Sequence, residues 1–102
     1  MLNQFNLVGR ITKTPEMMEN QDGSKFAIIN LAVPRTFKNE YGEYDTDFID
    51  CTLWECIAEN TCNYVKKGDT VGVKGRIQNI NNTAQLQIVA EKVTFLSNSK
   101  EK

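Results

Sequence analysis

The sequence predicts an all-β domain with a single helix inserted after its third strand. Five segments have the two-residue alternation, or the β-branched and aromatic composition, that is typical of strands. One segment between the third and the fourth lacks alternation, and its apolar residues recur instead at helical spacing. The predicted order is therefore three strands, one helix and two strands.

Turn-forming residues bound the strands, which we expect at 5–13, 26–33, 47–55, 71–78 and 86–96. Pro15 closes the first strand, and Asp22-Gly23 is a turn signal before the second. The helix is expected at 56–67, because Gly68 follows a basic last turn as a C′ stop. Its packing side is expected to carry Ile57, Thr61, Tyr64 and Val65.

This order of elements is that of the OB-fold, a five-stranded Greek-key barrel with one helix between strands three and four. We expect one such domain over residues 1–96, followed by a short polar tail at 97–102.

Composition narrows the class of protein. A chain of 102 residues with 25% charged and 40% apolar residues is typical of one globular domain. No apolar stretch can span a bilayer and no signal segment opens the chain, so we expect a cytoplasmic protein without a membrane partner. The absence of histidine and of C-x-x-C spacing argues against disulfides, a metal site or a cofactor. We expect Cys51, Cys56 and Cys62 to be small buried or half-buried side chains.

The net charge of −1 argues against a nucleic-acid partner, because proteins that neutralise phosphates usually carry a basic excess. The charges are segregated, however. Residues 39–65 contain seven acidic residues and no basic ones, and the rest of the chain has twelve basic residues against six acidic ones. One face of the domain can therefore still be basic.

The third strand has an unusual outer face. Alternation places Ile49, Cys51 and Leu53 in the barrel interior. The opposite, polar face then carries Phe48, Asp50, Thr52 and Trp54. Two large aromatic rings on an outer face need a cover, which is either a subunit interface or loop, or stacked nucleobases. The pattern alone leaves both interpretations open.

The fourth strand alternates in the same way. Its expected inner face carries Val71, Val73, Gly75 and Ile77. Its outer face presents the cations Lys74 and Arg76, where a sugar–phosphate backbone can run beside the aromatic rings or where water can simply solvate them. Beyond the end of strand two, Phe37 lies in a loop between Arg35 and Lys38, which suits a clamp over a nucleic-acid strand or a loop anchor.

At these residues the chain resembles the bacterial single-stranded DNA-binding protein family along almost its whole length. The resemblance rests on NLVGRITKTPE at 6–16, LAV at 31–33, DFIDCTLW at 47–54, AEN at 58–60, YVKKG at 64–68 and VGVKGRI at 71–77. It implies an OB-fold, a homotetramer and sequence-independent binding of single-stranded DNA in replication, recombination or repair. It also implies stacking by Phe37, Phe48 and Trp54, and phosphate contacts by Arg10, Lys67, Lys74 and Arg76, beside Arg35 and Lys38.

Two departures from the family pattern are visible. The hairpin between strands four and five, residues 79–84, is short and has no aromatic residue. The chain also ends without the family's acidic, Phe-tipped peptide, as expected of a short form in which the tail was removed or of one encoded by a phage or plasmid. Recruitment of replication or repair enzymes is therefore not expected.

Two other classes of protein were weighed. A protein-interaction module, like the family's dimeric primosome-accessory relative, remains the alternative. An enzyme is not expected, because the sequence has no histidine, no P-loop motif, no G-x-S-x-G and no metal-ligand spacing. We expect a homo-oligomer, with a tetramer favoured over a dimer. The candidate contacts between subunits are Asn6, Val8 and Arg10, on a first strand whose edge is free to pair with its copy.

Overall fold

The computed structural model describes residues 1–81 and 83–97. In chain order the elements are β1 (Phe5–Ile11), β2 (Met18–Glu19), β3 (Lys25–Lys38), β4 (Tyr44–Trp54), α1 (Glu55–Tyr64), β5 (Thr70–Asn79) and β6 (Leu86–Ser97). Of the tail expected at 97–102, Ser97 is the last residue of β6 and the others lie outside the described residues. No helix in the described ranges is long and apolar enough to cross a membrane.

The strands form a closed barrel. Their order is β1-β5-β6-β4-β3-β2, and an additional pairing of β1 with β3 closes the ring. Among the described residues, β2 pairs with β3 alone and stays outside the ring, so the barrel has the five strands expected. A parallel contact joins β4 to β6 at Thr52 and Val89. The helix comes between the third and fourth barrel strands, which confirms the OB-fold.

Alternating residues of the barrel strands fill the core. Ile11, Ala27, Ile29, Leu31, Cys51, Leu53, Val71 and Val73 are all buried. Ala58 and Val65, from the helix and the residue after it, pack on the same cluster. The inner face predicted for strand three is thus confirmed at Cys51 and Leu53, while Ile49 is only partly buried.

The helix ends three residues earlier than predicted. Val65 is extended (φ −113°, ψ 138°) and buried in the core. Gly68 has a φ of 97°, but it lies in a turn, where its N–H donates to the carbonyl of Ile11 at 2.7 Å. The Asp69 carboxylate accepts the Lys66 N–H in the same turn at 2.9 Å. The helix therefore ends where Val65 enters the core and the following turn begins, before the basic residues and the glycine that were predicted to end it. Tyr64, expected on the packing side, is exposed.

β3 continues past its predicted end at residue 33, and β4 begins before its predicted start at residue 47. These two extensions pair with each other and form an antiparallel arm. Phe37 therefore lies within β3, not in a loop, and Lys38 pairs with Tyr44. The pairing register shifts between Pro34 and Lys38, as expected where a proline interrupts the ladder. In the turn, the Asn39 side-chain oxygen accepts the N–H groups of Tyr41 and Glu43 at 2.8 and 3.0 Å. A side chain thus closes this hairpin.

The β5–β6 hairpin has a register shift between Lys74 and Gly75. A Cβ atom on Gly75 would lie 1.9 Å from the carbonyl oxygen of Val89, so only glycine fits at this close approach. Val71, Val73 and Gly75 face inward as predicted, but Ile77 is exposed. The prediction fails at Ile77 because the hairpin projects beyond its last core residues, so that Ile77 lines a surface cleft.

Candidate nucleic-acid interface

The outer face of β3 and β4 brings the predicted aromatic residues together with partners that the sequence did not reveal. Four cross-strand pairs form this face, which we call the platform. They are Phe48 with Ala32, Asp50 with Asn30, Thr52 with Ile28, and Trp54 with Phe26. Because both strands belong to the closed barrel, these side chains stand on a rigid support.

The two aromatic rings of β4 differ in their surroundings. Phe48 is 75% exposed, so its ring is open to a ligand. Trp54 is half-buried, and its ring centroid lies 5.3 Å from that of Phe26 with the planes tilted by 41°. Part of the cover that Trp54 needs is therefore supplied within the chain. The Phe48 ring is therefore open for stacking on a base, whereas the Trp54 ring is partly packed against Phe26.

Thr52, predicted on the outer face, is only 8% exposed. Its neighbour on the other side is Val89 of β6, in the parallel contact that closes the barrel. Thr52 therefore lies on the platform as predicted, but it is buried between its strand neighbours Ile28 and Val89.

Phe37 lies on the arm and is 62% exposed. The Arg35 guanidinium is 6.0 Å from the Phe37 ring centroid and donates two hydrogen bonds to Asp47, at 3.1 and 3.0 Å. These hydrogen bonds and the opposite charge lower the pKa of Asp47 and raise that of Arg35. Lys38 extends its ammonium to 5.9 Å from the Tyr44 ring centroid. Arg35 therefore already has a carboxylate partner where a phosphate contact was expected.

The other predicted cations lie elsewhere on the barrel. Lys74 is exposed on β5, between Asn6 of β1 and Lys92 of β6. Arg76 donates to Glu91 at 2.8 Å and to Gln78 at 3.1 Å. In strand order, β6 separates both residues from β4. Val89 of β6 pairs with Thr52 of the platform and with Arg76, so Arg76 lies two strands from the platform in the same cross-strand row.

Arg10 lies beside the platform. It is exposed on β1 and pairs with Ala32 of β3, the partner of Phe48, as well as with Thr70 of β5. Lys67 is exposed in the turn after the helix, where its N–H donates to the Thr14 hydroxyl at 3.0 Å. The predicted phosphate contacts are thus distributed over several strands and one turn of the domain.

Two clefts flank the centre of the platform, and sequence reasoning missed both. One, of about 500 Å³, lies between Phe48 and the apolar side chains of Ile77, Ile80 and Leu86. The other, of about 280 Å³, lies between the platform and the segment that joins β1 to β2. Asp50 lines both. The hairpin residues could have been noticed as an apolar set in a short loop, but their position opposite Phe48 depends on barrel closure.

The predicted subunit contacts are on the surface. Asn6, Val8 and Arg10 are exposed, with Val8 at 58%. β1 pairs with β5 from Phe5 to Arg10 but with β3 only at Arg10 and Ile11. In the described chain, the first half of β1 therefore has a strand partner on one side only.

The cysteines follow the prediction at two of three positions. Cys51 is buried, and burial, with a smaller effect of the Asp50 charge, raises the pKa of its thiol to about 12. Cys62 is half-buried, and burial raises its pKa as well. Cys56 is exposed, so the expectation is wrong there, since the buried helix positions are Ala58 and Thr61. The described ranges hold no group of three or more potential metal ligands.

The comparisons with known proteins agree with this geometry. The model of the single-strand binding protein family matches residues 2–96. The chain is 51% identical over 78 residues to single-stranded DNA-binding protein B of Bacillus subtilis, covering 76% of this chain and 69% of that protein. It is 45% identical over 103 residues to single-stranded DNA-binding protein A of the same organism, covering 94% and 60%.

Solved structures of the same kind superpose on the barrel. The single-stranded DNA binding protein of Thermus aquaticus matches with a TM-score of 0.78 and 26% identity, over 94% of this chain and 50% of that one. A small single-stranded DNA-binding protein of Streptomyces coelicolor, 20% identical, has the same fold with a TM-score of 0.71 and 93% and 94% coverage. The chain spans 60–69% of the length of the two Bacillus relatives. On the family match and the identities, this chain belongs to the single-strand binding protein family.

Proposed function

We propose that the protein binds single-stranded DNA without requiring a particular sequence, in replication, recombination or repair. The observation that carries this proposal is the Phe48 ring, which stands three-quarters exposed (75%) on a rigid sheet face of a chain that belongs to this family. The protein acts by binding, in the cytosol, and catalyses no reaction.

Stacking supplies most of the contact with the bases. An aromatic ring on a sheet accepts any base, because every base has a π-face, and each stacked base contributes about 1–3 kcal/mol. Phe48 is the principal stacking residue, since its ring is open. Phe37 extends the path along the arm. Trp54 offers only the part of its ring that Phe26 leaves uncovered.

Cations of the barrel surface hold the phosphates. Lys74 and the neighbouring Lys92 form a directly paired cationic site on β5 and β6. Arg10 adds to it beside Ala32 of the platform, Lys38 from the arm and Lys67 from the turn after the helix. Arg35 and Arg76 contribute after exchanging a carboxylate partner for a phosphate oxygen. DNA that contacts both the platform and Lys74 must cross β6, which lies between β4 and β5.

Association of subunits completes the proposal. The half-paired edge of β1 and the exposed Val8 side chain suit strand pairing with a second copy across a two-fold axis, with Asn6 and Arg10 in the contact. A tetramer is favoured over a dimer. Light scattering at micromolar concentration tests it, and a mass of one chain contradicts association.

A fluorescence titration tests DNA binding. Trp54 is the only tryptophan in the sequence, so its emission reports on the platform alone. Oligothymidine should change the emission and saturate it. The logarithm of the binding constant should fall with the logarithm of salt concentration, with a slope of about −0.7 per phosphate contacted. A salt-independent affinity, or tighter binding to duplex, contradicts the proposal.

A protein-interaction module is the second candidate function. Its support is specific: the net charge is −1, and Arg35 and Arg76 both form ion pairs with carboxylates. In that case the aromatic rings contact a protein, and oligothymidine leaves the Trp54 emission unchanged at any salt concentration.

A further inference from the structure

The centre of the platform carries a polar pair that the stacking mechanism does not use. Asp50 and Asn30 face each other across β4 and β3, two residues along each strand from Phe48 and Ala32. The Asn30 amide donates to the Asp50 Oδ1 atom. Within the described part of the chain, no group donates a hydrogen bond to the Asp50 Oδ2 atom. The pair therefore presents carboxylate and amide oxygens to whatever lies on the platform.

This pair lines a cleft of about 280 Å³. Ile28 and Met18 form apolar walls, and Pro15 closes another side. The volume lies just under the range of about 300–1,000 Å³ that is typical of pockets for drug-sized ligands. A cleft of this volume can accommodate one planar nucleobase. Isoleucine and methionine side chains can lie against the face of such a ring.

The chemistry of the cleft selects among bases. Oxygen acceptors at Asp50 and Asn30, with the Glu16 carboxylate on the same cleft, favour a base edge that carries N–H donors. Guanine presents two adjacent donors, its N1–H and its 2-amino group. Thymine presents one N–H between two carbonyl oxygens, which the carboxylate repels. Asp50 also repels a phosphate, whereas the Lys13 ammonium on the cleft wall attracts one.

We propose that this cleft holds one unstacked nucleobase of the bound strand and prefers guanine to thymine there, through Asp50 and Asn30. The inference rests on the proposed function, since it assumes a single strand on the platform. It adds a preference at one position to binding that otherwise accepts any sequence.

The test compares three oligonucleotides of equal length at one lithium salt concentration, which keeps isolated guanines from associating. One is oligothymidine, and the others carry isolated deoxyguanosine or deoxyinosine in place of some thymidines. We expect the guanine oligomer to bind about fivefold more tightly than oligothymidine, the low end for one well-formed base contact. Deoxyinosine keeps the N1–H but lacks the 2-amino group, so its affinity should fall between the two.

Variants attribute the preference to the cleft. Asp50→Ala should bring the three affinities together, whereas Asp50→Asn, which keeps one oxygen acceptor, should reduce the guanine preference without abolishing it. Thermal unfolding shows which variants keep the parent's fold. Glu59→Gln, on the exposed surface of the helix, removes the same charge from a residue that does not line this cleft and should keep the fivefold ratio. The proposal is overturned if the parent shows no preference, if the folded Asp50→Ala variant retains it, or if the folded Asp50→Asn variant retains it undiminished. Failure of every oligonucleotide to bind would instead refute the proposed function.

Discussion

Truncation of Phe48 to alanine should separate DNA binding from folding. A buried phenylalanine contributes about 3–5 kcal/mol of folding free energy over alanine. Phe48 is 75% exposed, so about a quarter of that, about 1 kcal/mol, is at risk. The loss in binding free energy should be larger, about 1–3 kcal/mol for one stacked base. This corresponds to a dissociation constant about 5- to 150-fold larger.

The assay is the Trp54 titration with oligothymidine, together with urea unfolding of the same variant. Tyr64→Ala is the matched control, since this ring is also largely exposed (68%) but lies at the end of the helix against Phe95. It should bind DNA like the parent. Parent-like affinity in Phe48→Ala, or an equal loss in Tyr64→Ala, would refute the stacking argument. Trp54→Ala removes this fluorophore, so its binding is followed with labelled oligothymidine instead; it should lose stability as well as affinity, because the Trp54 ring packs on Phe26.

Three further predictions follow from local geometry. Arg35→Gln should raise the pKa of Asp47 toward its ordinary value, because Arg35 lowers it through hydrogen bonds and charge. In the parent, this pair's contribution to stability is present above the pKa of an unfolded aspartate and is lost as pH falls through the lowered pKa. Carboxyl NMR titration checks both points, and an unshifted Asp47 in the variant contradicts them. Gly75→Ala should destabilise the protein by about 1–3 kcal/mol, since its Cβ would meet a backbone carbonyl at 1.9 Å. Gly72→Ala, whose Cβ would meet its nearest atom at 3.7 Å, should change stability little in the same urea experiment. Glu55 starts the helix with a φ of 53°, so Glu55→Gly should be more stable than Glu55→Ala by about 1 kcal/mol, the reverse of the usual helix ranking. An alanine variant at least as stable as the glycine variant would show that this φ is not strained.

The predictions that the structure confirms depend on neighbours along the chain. The two-residue alternation of residues 47–54 placed Cys51 and Leu53 inside and Phe48 outside, because successive side chains of a strand point to opposite faces. The order of the elements predicted the barrel, and the helix comes where a segment without alternation interrupts the strands.

The features that the sequence did not predict depend on contacts between distant segments. Lys66-Lys67-Gly68 correctly indicated that the helix ends in this region. Its exact end depends on the burial of Val65 and on the hydrogen bond between Gly68 in the turn and Ile11. Thr52 lies on the outer face as predicted, but it is buried where β4 pairs with β6 at Val89. Alternation tells which way a side chain points, whereas burial depends on what lies opposite.

The sequence by itself therefore determined the fold class, the aromatic identity of the outer face and the segregation of charge along the chain. Only the tertiary structure decided that Arg35 pairs with Asp47, that Asp50 pairs with Asn30, and that Arg10 lies beside Ala32 of the platform. The face to which a side chain points, and the period at which apolar residues recur, follow from the local conformation of the backbone. Cross-strand register and barrel closure bring together residues 12 or more positions apart, and those meetings define the site.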